Sequence, residues 1–309
     1  MKKLYIIGNG FDLYHGLPTS YKCFNCFMCR EHPEDHERIG RIFDSKDTNI
    51  LWSKFEEKLG KLDVSRLVSR NLPWWVNTKE RKEFTNAFDT LHADLVGHFH
   101  DWVTKIDISC ANSKRLELDR NAYYINFNYT YTLEENEGLY QIPKDHICYI
   151  HGDTCDNNSR QPITGHGNVE YENLINEKEI RNIIGNSHKL PIWINTTDDF
   201  VEEIVYEIKE LLGGLKKDTN GVLEYDDIKT FFDNCAKSEE IYVLGHSLAE
   251  VDLPYFEKIA HESPGAKWYA SYNVDNAEKD KKAIENMRKV CGIDHIKLIT
   301  LDELLSNQV

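Results

Sequence analysis

Two apolar runs, Tyr5-Ile6-Ile7 and Ile241-Tyr242-Val243-Leu244, each end directly on a glycine. Neither alternates with polar residues, so neither can lie with one face in water. Each reads as a strand buried on both sides, the pattern of a parallel sheet between helices. The strands expected from these runs are Lys3–Ile7 and Glu240–Leu244. Four further short runs, Ala122–Phe127, His146–Ile150, Lys267–Tyr272 and His295–Thr300, share their β-branched and aromatic character. Parallel strands cannot be joined by tight turns, and the long stretches between these runs supply the crossovers. The expected fold is α/β, a parallel sheet flanked by helices in one domain spanning residues 1–309.

Two intervals, about 20–120 and about 170–235, are longer than one crossover helix and read as large helical insertions. In the first, apolar positions recur at helical spacing over Asn49–Leu62 and again over Arg81–Ile106. A break between helices is expected at Asn71-Leu72-Pro73-Trp74-Trp75. In the second, Asp198–Leu212 is amphipathic, and Gly213-Gly214 supplies its stop. The stretch Cys23-Phe-Asn-Cys26-Phe-Met-Cys29, with His32 and His36 behind it, has metal-ligand spacing. No second C-x-x-C pair completes a four-cysteine site, and Phe24, Phe27 and Met28 suit the buried stripe of a helix after Pro18-Thr19-Ser20. The helix reading is preferred, and no metal is assigned.

A formal charge of −15 argues against nucleic acid as a partner, because a phosphate backbone calls for a basic surface. No apolar stretch approaches the ~18–20 residues of a membrane span. Only Leu4-Tyr5-Ile6-Ile7 follows the two N-terminal lysines, too little for a secretory signal. Eight cysteines without such a signal suit reduced cytosolic thiols, so a cytoplasmic location is expected.

Polar clusters follow the expected strands, at the edge where open parallel sheets bind ligands. After the first come Gly8-Asn9-Gly10-Phe11-Asp12, glycines that would let backbone N–H groups approach a phosphate. The third glycine of a dehydrogenase fingerprint is missing, with Leu13 in its place. After the second come Asn126-Phe127-Asn128-Tyr129-Thr130, then Glu134. The asparagines can shape a turn or hold a sugar hydroxyl or water. After the third come His151-Gly152-Asp153, an accessible histidine that can act as general base or simply sit in a surface turn. Thr164-Gly165-His166-Gly167 repeats the small-polar pattern. After the fourth come Gly245-His246-Ser247-Leu248, with Asp252 four residues beyond. Ser247 lacks the second glycine of a nucleophile elbow, since Ala249 stands there, so a serine hydrolase is disfavoured. Asn273 ends the fifth run.

The blocks IIGNGFDLYHGLPTSY, INFNYTYTLE, YIHGD, ITGHGN and YVLGHSLAEVD resemble, in the same order, those of the bacterial abortive-infection protein H (AbiH) family. That family in turn looks like a divergent branch of the sirtuin-like, NAD-binding Rossmann group. The resemblance implies that Gly8-Asn9-Gly10, with Phe11, replaces the sirtuin Gly-Ala-Gly phosphate loop. It matches Asn128 to the asparagine of the Asn-Tyr-Asp block and His151 to the catalytic histidine. It also matches Gly165 to the glycine of the Phe-Gly-Glu block, with His166 beside it. Gly245, His246 and Ser247 then stand for the Gly-Thr-Ser loop, and Asn273 for the asparagine near the adenosine ribose. The two C-x-x-C pairs of sirtuin deacetylases have no counterpart in Asp153–Pro162, so zinc-dependent deacetylation is not expected. Thr130 and His166 stand where that group has an aspartate and a glutamate.

What the resemblance implies is an NAD+ glycohydrolase in phage defence, with NAD+ as substrate or ligand and no true cofactor. Cleavage of the nicotinamide–ribose bond builds positive charge on the sugar, which the carboxylates Asp12 and Glu134 would stabilise. His151 would act as the base, and Asn128 would hold water or ribose. The rival implication, favoured by Thr130 and His166, is an inactive module that senses NAD, ADP-ribose or another nucleotide. A phage-derived trigger and a homo-oligomer complete the expected partners, with no nucleic acid and no membrane.

Overall fold

The computed structural model describes residues 1–43, 62–76, 78–152, 171–186 and 196–305. The expected helix over Asn49–Leu62, save its last residue, and the site candidates Gly165 and His166 lie outside the described residues. Along the chain, β1 (Lys3–Ile7) leads into α1 (Asn9–Tyr14), α2 (Tyr21–Glu31), α3 (Pro33–Phe43), α4 (Val64–Val76) and α5 (Thr78–Thr104). Then come β2 (Tyr123–Asn126), β3 (Ile147–Tyr149), α6 (Glu177–Gly185), α7 (Thr197–Gly214), α8 (Thr219–Leu223) and α9 (Asp226–Cys235). The order closes with β4 (Glu240–Leu244), α10 (Leu253–Glu262), β5 (Lys267–Ser271), α11 (Ala277–Val290) and β6 (Ile296–Ile299). Among the described residues, no helix is long and apolar enough to cross a membrane.

The chain forms two compact units. One, from Met1–Ser20, His100–Ile163 and Asp218–Val309, holds all six strands in the order β3-β2-β1-β4-β5-β6. Every strand pairing is parallel. This is the order of a Rossmann sheet, whose direction of winding reverses between β1 and β4. In β1, Leu4 and Ile6 join one core, with Phe232 of α9, Phe256 of α10 and Met287 of α11. Tyr5 and Ile7 join the opposite core, with Phe11 of α1, Leu133 and Tyr140. A strand with both faces covered needs apolar residues at every position, which is why these runs do not alternate. On the second face, Tyr124, Tyr5, Tyr242 and Tyr269 occupy matched positions on four neighbouring strands. Their rings stack in a row, with centroids 4.9, 5.0 and 4.5 Å apart. Cross-strand aromatic pairs of this kind fix register as well as adding packing energy.

The other unit, from Tyr21–Phe99 and Thr164–Lys217, is helical in its described residues. It is built from parts of both expected insertions. Its α2 buries Phe24, Phe27 and Met28, with Phe24 edge-on to Phe99 of α5 at 5.3 Å. Trp75 of α4 is fully buried and donates from Nε1 to Glu207 Oε2 of α7 at 2.6 Å. The helix break expected at residues 71–75 is a correction: α4 runs through Pro73 to Val76. Val64, Leu67, Val68, Asn71, Leu72 and Trp75 are all buried, an unbroken helical stripe. Pro73 faces outwards, and the carbonyl it leaves without an N–H belongs to exposed Ser69, within reach of water. Asn71 closes locally, its Nδ2 donating to the Leu67 carbonyl at 2.9 Å. The Gly213-Gly214 stop stands as expected, since α7 ends on Gly214.

Candidate functional site

At the carboxyl edge of the sheet, the loops after β1 and β4 meet at the point where the winding reverses. Glycine permits this approach. A Cβ on Gly10 would lie 2.7 Å from the Gly245 carbonyl oxygen, and one on Gly8 would strike the His246 backbone. Gly245 has φ +64, and a Cβ there would strike the Phe11 amide. The amides of these glycines are already bonded within the protein. Gly8 N–H donates to Leu244 O at 2.9 Å, Gly10 N–H to Gly245 O at 2.7 Å, and Phe11 N–H to Gly8 O at 2.9 Å. Gly245 N–H donates to Ser271 Oγ at 2.8 Å. The expectation that the GNG glycines expose amides for a phosphate is therefore corrected: their small size serves loop-to-loop packing. The exposed positions of these loops are Asn9, whose Nδ2 donates to the Thr19 carbonyl at 2.9 Å, and Ser247.

Beneath this junction lies Asp12, fully buried in α1. Thr130 Oγ1 donates to its Oδ2 at 2.6 Å, and Thr132 Oγ1 to its Oδ1 at 3.0 Å. Burial pushes its carboxyl up from 3.8 to about 6, although the bonds from Thr130, Thr132 and Asn128 pull the other way. Asn128 Nδ2 also donates to the Gly8 carbonyl at 3.1 Å, and Asn128 N–H donates to Asn126 Oδ1 at 3.0 Å. The loop after β2 is thereby tied to the loop after β1. Asp12 and Asn128, expected at the reacting bond, are both part of this internal framework.

The third group brings two histidines to one carboxylate. His151 Nε2 lies 3.7 Å from Asp252 Oδ1, and His246 Nε2 lies 3.7 Å from Asp252 Oδ2. Leu248 N–H donates to His246 Nδ1 at 2.9 Å, which assigns the His246 proton to Nε2, facing the carboxylate. Both contacts to Asp252, at 3.7 Å, are longer than a hydrogen bond. The loop that carries His246 is bent by two left-handed residues, Gly245 and Leu248 (φ 53). The latter conformation costs a β-carbon-bearing residue about 1–2 kcal/mol. Such local strain is concentrated at ligand sites. Phe127 sits edge-on to both histidines, at 5.0 and 4.3 Å, and Tyr129 and Tyr255 close around His151 at 6.2 and 5.9 Å. His151 is only 4% exposed, so the accessible histidine expected after β3 is corrected to an enclosed one.

The remaining candidates are dispersed. Glu134 accepts from the Tyr149 hydroxyl at 2.8 Å, and Tyr149 belongs to the core on one face of the sheet. Phe127, between the histidines, belongs to the core on the other. Asn273 is exposed and caps a short 3-10 turn, its Oδ1 accepting from Asp275 N–H at 2.9 Å. Asp252 is the residue that sequence reading left without a role. The 3-10 turn Glu250–Asp252 folds it back beneath His246, a return that six residues of spacing do not reveal. A cavity of roughly 460 Å³ near Lys237, Glu240 and Lys267 lies at the opposite edge of the sheet, away from all these groups.

Residues 4–272 match the family described as bacteriophage abortive infection AbiH. The chain belongs to the AbiH family. The match spans the sheet as far as β5 and every loop of the site, and membership indicates a role in abortive infection against phage. No curated protein and no solved structure matches the chain.

Proposed function

We propose that this AbiH protein is an NAD+ glycohydrolase that cleaves the nicotinamide–ribose bond and drains NAD+ from infected cells. The observation that carries the reading is the His151–Asp252–His246 group at the carboxyl edge of a Rossmann sheet, beside its switch point. The bond breaks with oxocarbenium character, so the chemistry needs a base for water or a ribose hydroxyl and negative charge near the sugar. His151 is the base in this reading, and Asp252 stabilises the imidazolium that forms. Asp12 and Asn128 act as positioning residues that hold the loops. The pyrophosphate would engage the exposed positions Asn9 and Ser247, because the neighbouring glycine amides are already bonded. An enclosed base suits an enzyme that is silent until triggered, as a toxic activity in the host requires.

The test separates turnover from binding. Asp252→Asn keeps the shape but removes the charge, and is expected to lower nicotinamide release by roughly 10²–10⁴-fold, with ADP-ribose affinity retained in calorimetry. Unchanged turnover in both Asp252→Asn and His151→Ala would remove the mechanism. A second reading, nucleotide sensing without turnover, is favoured by the commitment of Asp12 and Asn128 to internal bonds. Tight binding with no product from the wild-type chain supports that reading instead.

A further inference from the structure

We propose that the helical unit carries a divalent transition-metal site, built from His32, Asp35 and His98 and suited to zinc. The three residues come from separate places in the sequence: His32 between α2 and α3, Asp35 in the first turn of α3, and His98 in α5. One donor atom from each lies within 4.8 Å of the others. His98 Nε2 is 2.7 Å from Asp35 Oδ2, and the His32 and His98 rings stack with centroids 3.7 Å apart. Zinc bonds of ~2.0–2.1 Å in a tetrahedron set neighbouring donors about 3.4 Å apart. The His98–Asp35 pair is closer than that and no donor pair exceeds 4.8 Å, so side-chain rotation alone would bring all three donors onto one ion.

Two imidazoles and one carboxylate are a zinc-type donor set, whereas magnesium and calcium prefer all-oxygen shells. All three residues are partly exposed, so an ion can enter and water can fill the fourth position. The surroundings are those of a supported site. Arg38 Nη2 holds the other oxygen of Asp35 at 2.9 Å and also reaches Asp94 Oδ2 at 2.6 Å, fixing the carboxylate from behind. With both histidines neutral, Asp35 and Asp94 outweigh Arg38 by one negative charge, which a dication reverses to one positive. His36 is held elsewhere, its Nε2 within 2.6 Å of Asn25 Oδ1. Cys26 and Cys29 are exposed on α2 and are not part of the set. The ion would pin the α2–α3 corner to α5.

The full-length chain, stripped with chelator, should bind about one Zn2+ per molecule by calorimetry and give the visible absorption of low-symmetry Co2+ when cobalt is added. His32→Gln and His98→Gln should each weaken binding by roughly 100-fold or more, with helical circular dichroism unchanged. The double variant Cys26→Ser, Cys29→Ser should bind as the wild type does. Failure of the stripped wild-type chain to take up either metal overturns the site, whatever the variants do. So does loss of metal in the cysteine double variant alone.

Discussion

Asp12 shows how a single buried carboxylate shapes both stability and the site. Its pKa rises from 3.8 to about 6 because burial outweighs three hydrogen bonds. The folded state therefore holds a proton that the unfolded chain releases, and stability from this group falls as pH rises from about 4 to about 6. The span corresponds to up to about 3 kcal/mol. Asp12→Asn removes that dependence. Urea denaturation should show the variant gaining on the wild type by about that amount between acidic and neutral pH; a constant difference would refute the assignment. Gly10→Ala tests the loop junction. Alanine favours helix by about 0.5–1 kcal/mol, but a Cβ 2.7 Å from a backbone carbonyl forces an overpacking cost of about 1–3 kcal/mol, so a net loss is expected. At this scale the sequence was legible in kind. Gly8, Gly10, Asn128, His151 and His246 do gather at one edge, because each follows a strand of one parallel sheet. Their partners were not legible, because Asp252 and Thr132 reach the group through tertiary turns.

The strands were read almost residue for residue, since a doubly covered strand leaves a continuous apolar run that no helix of that length produces. The ends differ by a residue or two: Ala122–Phe127 becomes Tyr123–Asn126, and His146–Ile150 becomes Ile147–Tyr149. Pro73 misled because a local helix-breaking signal competes with a six-residue buried stripe, and the stripe prevails. The tyrosine row could not be seen before the register was known. It makes a testable gradient across the sheet. Tyr5, 3% exposed at the centre, should cost about 3–5 kcal/mol on substitution by alanine. Tyr269, half-buried beside the sheet edge, should cost about 1–2 kcal/mol. Equal losses in guanidinium titrations would mean that the row does not share load in this way.

For the whole molecule, a Rossmann unit and a helical unit follow from one chain because both insertions leave the sheet at its crossovers. The AbiH match covers residues 4–272 and with them segments of both units. In cells, His151→Ala at wild-type abundance should abolish protection against phage if depletion of NAD+ is the means. Mass spectrometry of NAD+ after incubation with the purified chain, alone and in lysate from phage-infected cells, is the most direct measurement. An NAD+ glycohydrolase yields nicotinamide and ADP-ribose in equal amounts, with both lost in Asp252→Asn; NAD+ recovered intact under both conditions would contradict it.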